Sequence, residues 1–143
     1  MAAIKLWKCP KCGRKFEKIK QVHSCTIYPV AKHLKGKKFA TELYDELKAK
    51  IKKAAGPFYI ESLPCCIHFV ASGTCFTFAA TYAMKDRLRL HFGLSRKIAS
   101  KRIRKYAQTA ASKYTYELDI MDKKEFDKEL LDWLKEAYNM KKK

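Results

Sequence analysis

Apolar residues recur every four positions at Phe39, Leu43, Leu47 and Ile51, with Ala40 and Tyr44 widening the stripe, and this spacing predicts an amphipathic helix. Ala54-Ala55-Gly56-Pro57 ends it, because glycine accepts the C-terminal cap conformation and proline cannot continue the ladder. Beyond Pro57 the period changes to two. Residues 58–63 and 66–70 read as strands separated by Pro64, and 74–82 follows after Ser72-Gly73. In 87–92 Leu88, Leu90 and Phe92 take one face while Arg87, Arg89 and His91 take the other. Tyr114, Tyr116, Leu118 and Ile120 alternate with Thr115, Glu117 and Asp119 in the same way. Asp122 and Glu125 form a capping-box pattern, and Phe126, Leu130, Trp133, Leu134, Ala137 and Tyr138 mark a C-terminal amphipathic helix. Tyr28-Pro29 closes the N-terminal segment, and 31–38 reads as a short basic connection. The stretch 94–113 fits two templates: Ile98, Arg102 and Tyr106 suit a helix, and 103–107 suits a strand pairing back onto 114–120.

At 143 residues the chain can bury about two-thirds of its unfolded surface, enough for one core beside a small finger. The expected organisation is a knuckle over residues 1–30 and an α+β domain over 31–143. The latter is a largely antiparallel sheet of about five or six strands packed with an N-terminal and a C-terminal helix. There is no secretory leader and no apolar run near the ~18 residues of a membrane span, so a reducing cytoplasmic setting without membrane contact is expected. The six cysteines agree with that setting.

Chemistry concentrates at the N-terminus. Cys9-Pro10-Lys11-Cys12-Gly13 followed by His23-Ser24-Cys25 supplies three thiols and one imidazole, a tetrahedral donor set that suits structural zinc. Gly13 permits the left-handed backbone that a Cys-x-x-Cys turn needs, and Trp7 and Phe16 supply an apolar lid. His33 is a less well placed substitute for Cys25. A redox pair of the thioredoxin kind opens a helix after a buried strand, and no such buried strand is expected before Cys9.

The net charge is +18 and unevenly placed. Residues 1–38 carry 11 cations against one acid, and 95–113 carry seven cations against none. Two cationic segments repel each other unless something neutralises them, and nucleic acid, DNA or RNA, is the obvious polyanion. Lys8, Lys11, Arg14, Lys15, Lys18 and Lys20 surround the knuckle. Arg96, Lys97, Lys101, Arg102, Arg104 and Lys105, with Arg87, Arg89 and His91 on a neighbouring strand, form a second array. If about eight of these meet phosphates, log affinity falls with log salt at a slope near −7. Phe16, Trp7 and Tyr106 could stack on bases, although core packing is the commoner fate of an aromatic residue.

Catalytic patterns are absent: the chain holds no Walker loop, no Gly-x-Ser-x-Gly and no His-Glu-x-x-His. His68 beside Cys65 and Cys66 imitates a nucleophile pair, but adjacent strand residues point to opposite faces and buried cysteines are usually inert. Six of the 14 acids sit in the C-terminal segment from Asp122 onwards, and the paired carboxylates that would hold magnesium are not evident. The expectation is therefore a non-enzymatic nucleic-acid-binding protein. The competing class is a protein-interaction or small-ligand module capped by the knuckle, and dispersed cations would favour it.

Residues 7–16, the Gln21-Val22-His23-Ser24-Cys25 run, the 88–92 strand, Arg102-Ile103-Arg104-Lys105 and the 130–138 segment ending in Trp133-Leu134-Lys135-Glu136-Ala137-Tyr138 together resemble a bacterial and archaeal family. That family is catalogued as domain of unknown function fifty-six fifty-five. The resemblance implies an α+β domain, tips 103–107 towards a strand and implies no activity. The chain departs from the family pattern at Thr115-Tyr116-Glu117, where a histidine is expected, and at Pro64-Cys65-Cys66, where basic residues are.

Overall fold

In the computed structural model, which describes residues 6–16, 18–20, 28–72 and 76–142, the chain is α+β. A short hairpin, β1 (Trp7–Lys8) and β2 (Lys15–Phe16), precedes α1 (Val30–Leu34) and α2 (Lys38–Ala54). Four strands follow, β3 (Phe58–Ser62), β4 (Ile67–Ala71), β5 (Thr77–Ala83) and β6 (Leu88–Leu94), then β7 (Lys105–Ala110) and β8 (Lys113–Ile120). A 3-10 turn (Lys123–Glu125) leads into α3 (Lys128–Lys142). His23, Cys25 and Cys75 lie outside the described residues. No helix among the described residues is long and apolar enough to cross a membrane.

The six-stranded sheet is antiparallel throughout, in the order β3-β4-β5-β6-β8-β7. After a four-strand meander the chain crosses to the far edge, lays down β7, and returns as β8 between β7 and β6. The register sets Leu88 opposite Ile120, Leu90 opposite Leu118 and Phe92 opposite Tyr116, so the apolar phases of both strands meet on one face. There α2 and α3 cover the sheet. Leu43, Tyr44, Leu47 and Ile51 of α2 and Leu130, Trp133, Leu134 and Tyr138 of α3 join the strand residues in one core.

Phe39 is the exception in the α2 stripe, 42% exposed. Four-residue steps overshoot a full turn by about 40°, so the row drifts, and Ala40 rather than Phe39 lies under the sheet. Gly56 ends α2 with φ 139°, and Tyr138 Oη donates to the Pro57 carbonyl at 2.7 Å, tying α3 to the α2–β3 junction.

One segment differs from expectation, and a second, open between helix and strand, is decided. The basic connection 31–38 contains the five-residue helix α1, anchored by Val30 and Leu34 against the core. In 95–104 there is no helix: the Tyr116 hydroxyl accepts from Ile98 N and donates to the Arg96 carbonyl, both at 2.8 Å, and holds this stretch as an extended loop. The strand alternative holds, with β7 pairing onto β8. At the C-terminal helix the Asp122–Glu125 box caps the 3-10 turn, while Asp127 Oδ1 accepts from Leu130 N and caps α3 itself.

Candidate functional site

The knuckle is built by local backbone geometry. Cys9 N donates to the Arg14 carbonyl at 2.9 Å and Gly13 N to the Cys9 carbonyl at 2.8 Å, closing a turn that Gly13 completes at φ 76°. Cys9 is buried and Cys12 half-buried in that turn. Trp7 pairs with Phe16 across the hairpin, ring centroids 6.2 Å apart. The other two predicted ligands, His23 and Cys25, fall outside the described residues. His33 packs on Tyr28 at 4.7 Å, and it joins no three-ligand group with Cys9 and Cys12 among the described residues.

The finger docks on β3 through Arg14, whose Nε donates to Glu61 Oε2 at 3.1 Å, and Lys15, whose ammonium lies 5.3 Å over the Tyr59 ring. Glu61 begins a row across the helix-free face of the sheet, running through His68, Ala80, His91 and Glu117 to Lys105. The neighbouring row brings together Tyr82, Arg89 and Asp119.

These rows form an ion network. Arg89 grips Asp119 at 2.7 and 3.2 Å, Arg87 reaches the same carboxylate at 3.0 Å, and Arg104 pairs with Glu117. His91 Nε2 lies 2.7 Å from Glu117 Oε1, off the axis of a good hydrogen bond, so the contact acts as an ion pair when the ring is protonated. The Arg89 hydrogen bond, with Arg87 beside it, holds the Asp119 carboxyl below the usual range. Burial pushes Glu117 up, but Arg104, His91 and Arg89 outweigh it and hold that carboxyl low too. Saturated with cations, this carboxylate pair has no room for magnesium.

The second predicted array divides. Arg87, Arg89, Arg104 and Lys105 lie with the helix-free face. Arg96 instead forks onto Glu136, and Arg102 binds Asp127 at 2.8 Å, Glu129 at 3.3 Å and the Glu125 carbonyl at 2.6 Å, all on the helical side. Lys97 sits 5.3 Å over the Tyr106 ring, and Lys101 is exposed. The acids of α3 therefore neutralise part of the charge that the bare sequence leaves uncompensated. Tyr106 is 54% exposed on the edge strand, not core. On the finger Lys8, Lys11, Lys18 and Lys20 are exposed, while Arg14 and Lys15 are half-buried.

Cys65, Cys66 and His68 form a group that could hold a metal ion, the one such group among the described residues. The expectation that Cys65 and Cys66 diverge as strand neighbours fails because β4 starts at Ile67. The two cysteines lie on the turn before it, with sulfurs 3.2 Å apart. His68 Nε2 is 3.0 Å from Cys66 Sγ. Burial, reinforced by the Cys65 hydrogen bond, pushes the Cys66 thiol up to about 12, and burial pushes His68 down, which is the opposite of an activated thiolate-imidazolium pair.

Among known families, residues 30–141 fit the one described as Domain of unknown function (DUF5655), and the chain belongs to it. No curated protein and no solved structure matches the chain. The matched span begins after the Cys9–Cys25 motif.

Proposed function

We propose that this member of the DUF5655 family is a cytoplasmic, non-enzymatic nucleic-acid-binding protein whose amino-terminal knuckle presents lysines to phosphates. Zinc on Cys9, Cys12, His23 and Cys25 would cross-link the knuckle and fix its shape, a purely structural role because four protein donors leave no open position. The cationic N-terminal segment carries this reading: residues 1–38 hold 11 cations against one acid, whereas residues 39–54 and 122–143 mix nine of the 14 carboxylates with 11 cations. Lys8, Lys11, Lys18, Lys20 and Lys105 are exposed and meet no carboxylate among the described residues. Such lysines position a backbone and read no sequence, so DNA and RNA both fit. Exposed Tyr106 adds a stacking surface at the β7 edge.

A small-ligand reading would use the cavity between the finger and β3, about 320 Å³ and bordered by Cys12, Arg14, Tyr28, Tyr59 and Glu61, at the low end of the usual ligand range of about 300–1,000 Å³; the cavity on the sheet bordered by His68, Thr77, His91 and Thr115 holds about 230 Å³. The test replaces Lys8, Lys11, Lys18 and Lys20 together with alanine. Affinity for a single-stranded RNA or duplex DNA probe at moderate salt should fall at least about 100-fold. Alanines at Lys48 and Lys50 on α2 should leave it unchanged. Equal loss in the two variants, or none in the first, contradicts the assignment.

A further inference from the structure

We propose that the β3–β4 turn is a second metal site, independent of the knuckle, in which Cys65 Sγ, Cys66 Sγ and His68 Nε2 hold one thiophilic cation of the zinc class. The turn itself creates the donor set. Leu63 N donates to the Cys66 carbonyl at 2.9 Å and Cys66 N to the Leu63 carbonyl at 3.2 Å, so Pro64 and Cys65 form a two-residue tip. That sharp reversal brings neighbouring sulfurs onto one side. His68, the second residue of β4, points its ring at the same sulfur, with Nε2 3.0 Å from Cys66 Sγ.

The three donor atoms lie within 4.8 Å of one another. A tetrahedral zinc with bonds of about 2.3 Å to sulfur and about 2.0 Å to nitrogen sets its donors about 3.6–3.8 Å apart. The observed separations of 3.2 and 3.0 Å need open by only about half an ångström. Cys65, at the exposed tip, can make that movement, and it also gives the ion a way in. His68 Nδ1 is held 3.2 Å from Thr77 Oγ1, the kind of outer partner that fixes ring orientation and leaves Nε2 for a metal. Two thiols with one imidazole select zinc or a similar borderline cation over magnesium or calcium.

Binding a divalent ion releases the two thiol protons to solvent, leaves the imidazole neutral, and yields a centre of zero net charge with no change of oxidation state. With three protein donors, the fourth position faces solvent. The turn site is thus open where the knuckle would be closed.

The test loads the full, reduced chain with Zn2+, removes the excess by dialysis, and counts metal by native mass spectrometry. A Cys9→Ser/Cys12→Ser chain should keep about one zinc. Adding Cys65→Ser and His68→Gln to it should abolish that ion while the circular dichroism spectrum stays the same. Thr77→Val should weaken zinc about tenfold, by releasing the ring. In the otherwise unaltered chain, His68→Gln should lower the zinc count by about one, a reading that does not require the knuckle variant to fold. A zinc count indifferent to His68→Gln and Cys65→Ser would overturn the proposal, whether or not the knuckle itself holds metal.

Discussion

Asp119 is the residue on which the charged face turns. Only 10% exposed, it accepts from both Arg87 and Arg89. Asp119→Asn should cost about 1 kcal/mol in urea unfolding, because the half-buried guanidinium donors of Arg89 and Arg87 lose a charged acceptor. The same variant should bind nucleic acid more tightly, since two arginines are released towards phosphates; weaker binding would show that the network shapes the surface instead. The pH dependence follows from the depressed carboxyls of Asp119 and Glu117. Their contribution is complete above the ordinary carboxylate pKa of about 4 and is lost as pH falls through the lower folded values. The urea midpoint of the parent should therefore drop between about pH 4 and pH 2 by more than that of Asp119→Asn. This network was half legible. Arg87, Arg89 and His91 alternate on one strand and Glu117 and Asp119 on another, and an antiparallel pairing of the two puts unlike charges opposite. The sulfur pair at Cys65 and Cys66 was not, because its geometry depends on where a turn hands over to a strand, a boundary of one residue.

Among the elements, the α2–β3 junction tolerates the least change. A Cβ on Gly56 would sit 3.1 Å from Tyr138 Oη, and the backbone there is left-handed at φ 139°. Gly56→Ala should therefore lose about 2–3 kcal/mol, combining strain with displacement of the Tyr138 anchor, measured as a lower urea midpoint. Gly13→Ala has open space, its nearest neighbour being Lys8 Cε at 3.8 Å, and pays only the left-handed conformation, about 1 kcal/mol. A larger loss at Gly13 than at Gly56 would contradict this ordering. Strands β6 and β8 and helices α2 and α3 were readable because each buries one face, so their apolar periods are strong. Strand β7 was ambiguous because all six residues are exposed, and a strand with no buried face leaves no period of two. Helix α1 escaped notice because five residues carry barely one turn of pattern and no side-chain cap.

At the scale of the molecule, folding redistributes a charge that the linear sequence shows only in blocks. The acids of α3 meet Arg96 and Arg102, and Glu117 and Asp119 meet Arg87, Arg89 and Arg104, so five arginines of the expected footprint are already engaged. What remains for a polyanion is mostly lysine: Lys8, Lys11, Lys15, Lys18 and Lys20 on the finger and Lys105 across the sheet. The overall charge was legible from composition, whereas the internal pairing depended on tertiary contacts between residues 13 to 40 positions apart. The most direct measurement is the salt dependence of duplex DNA affinity for the parent and for the variant lacking Lys8, Lys11, Lys18 and Lys20. Six phosphate contacts predict a slope of log affinity against log salt of about −5 for the parent and about −2 for the variant. A parent slope near zero, or one slope shared by both proteins, would contradict the account.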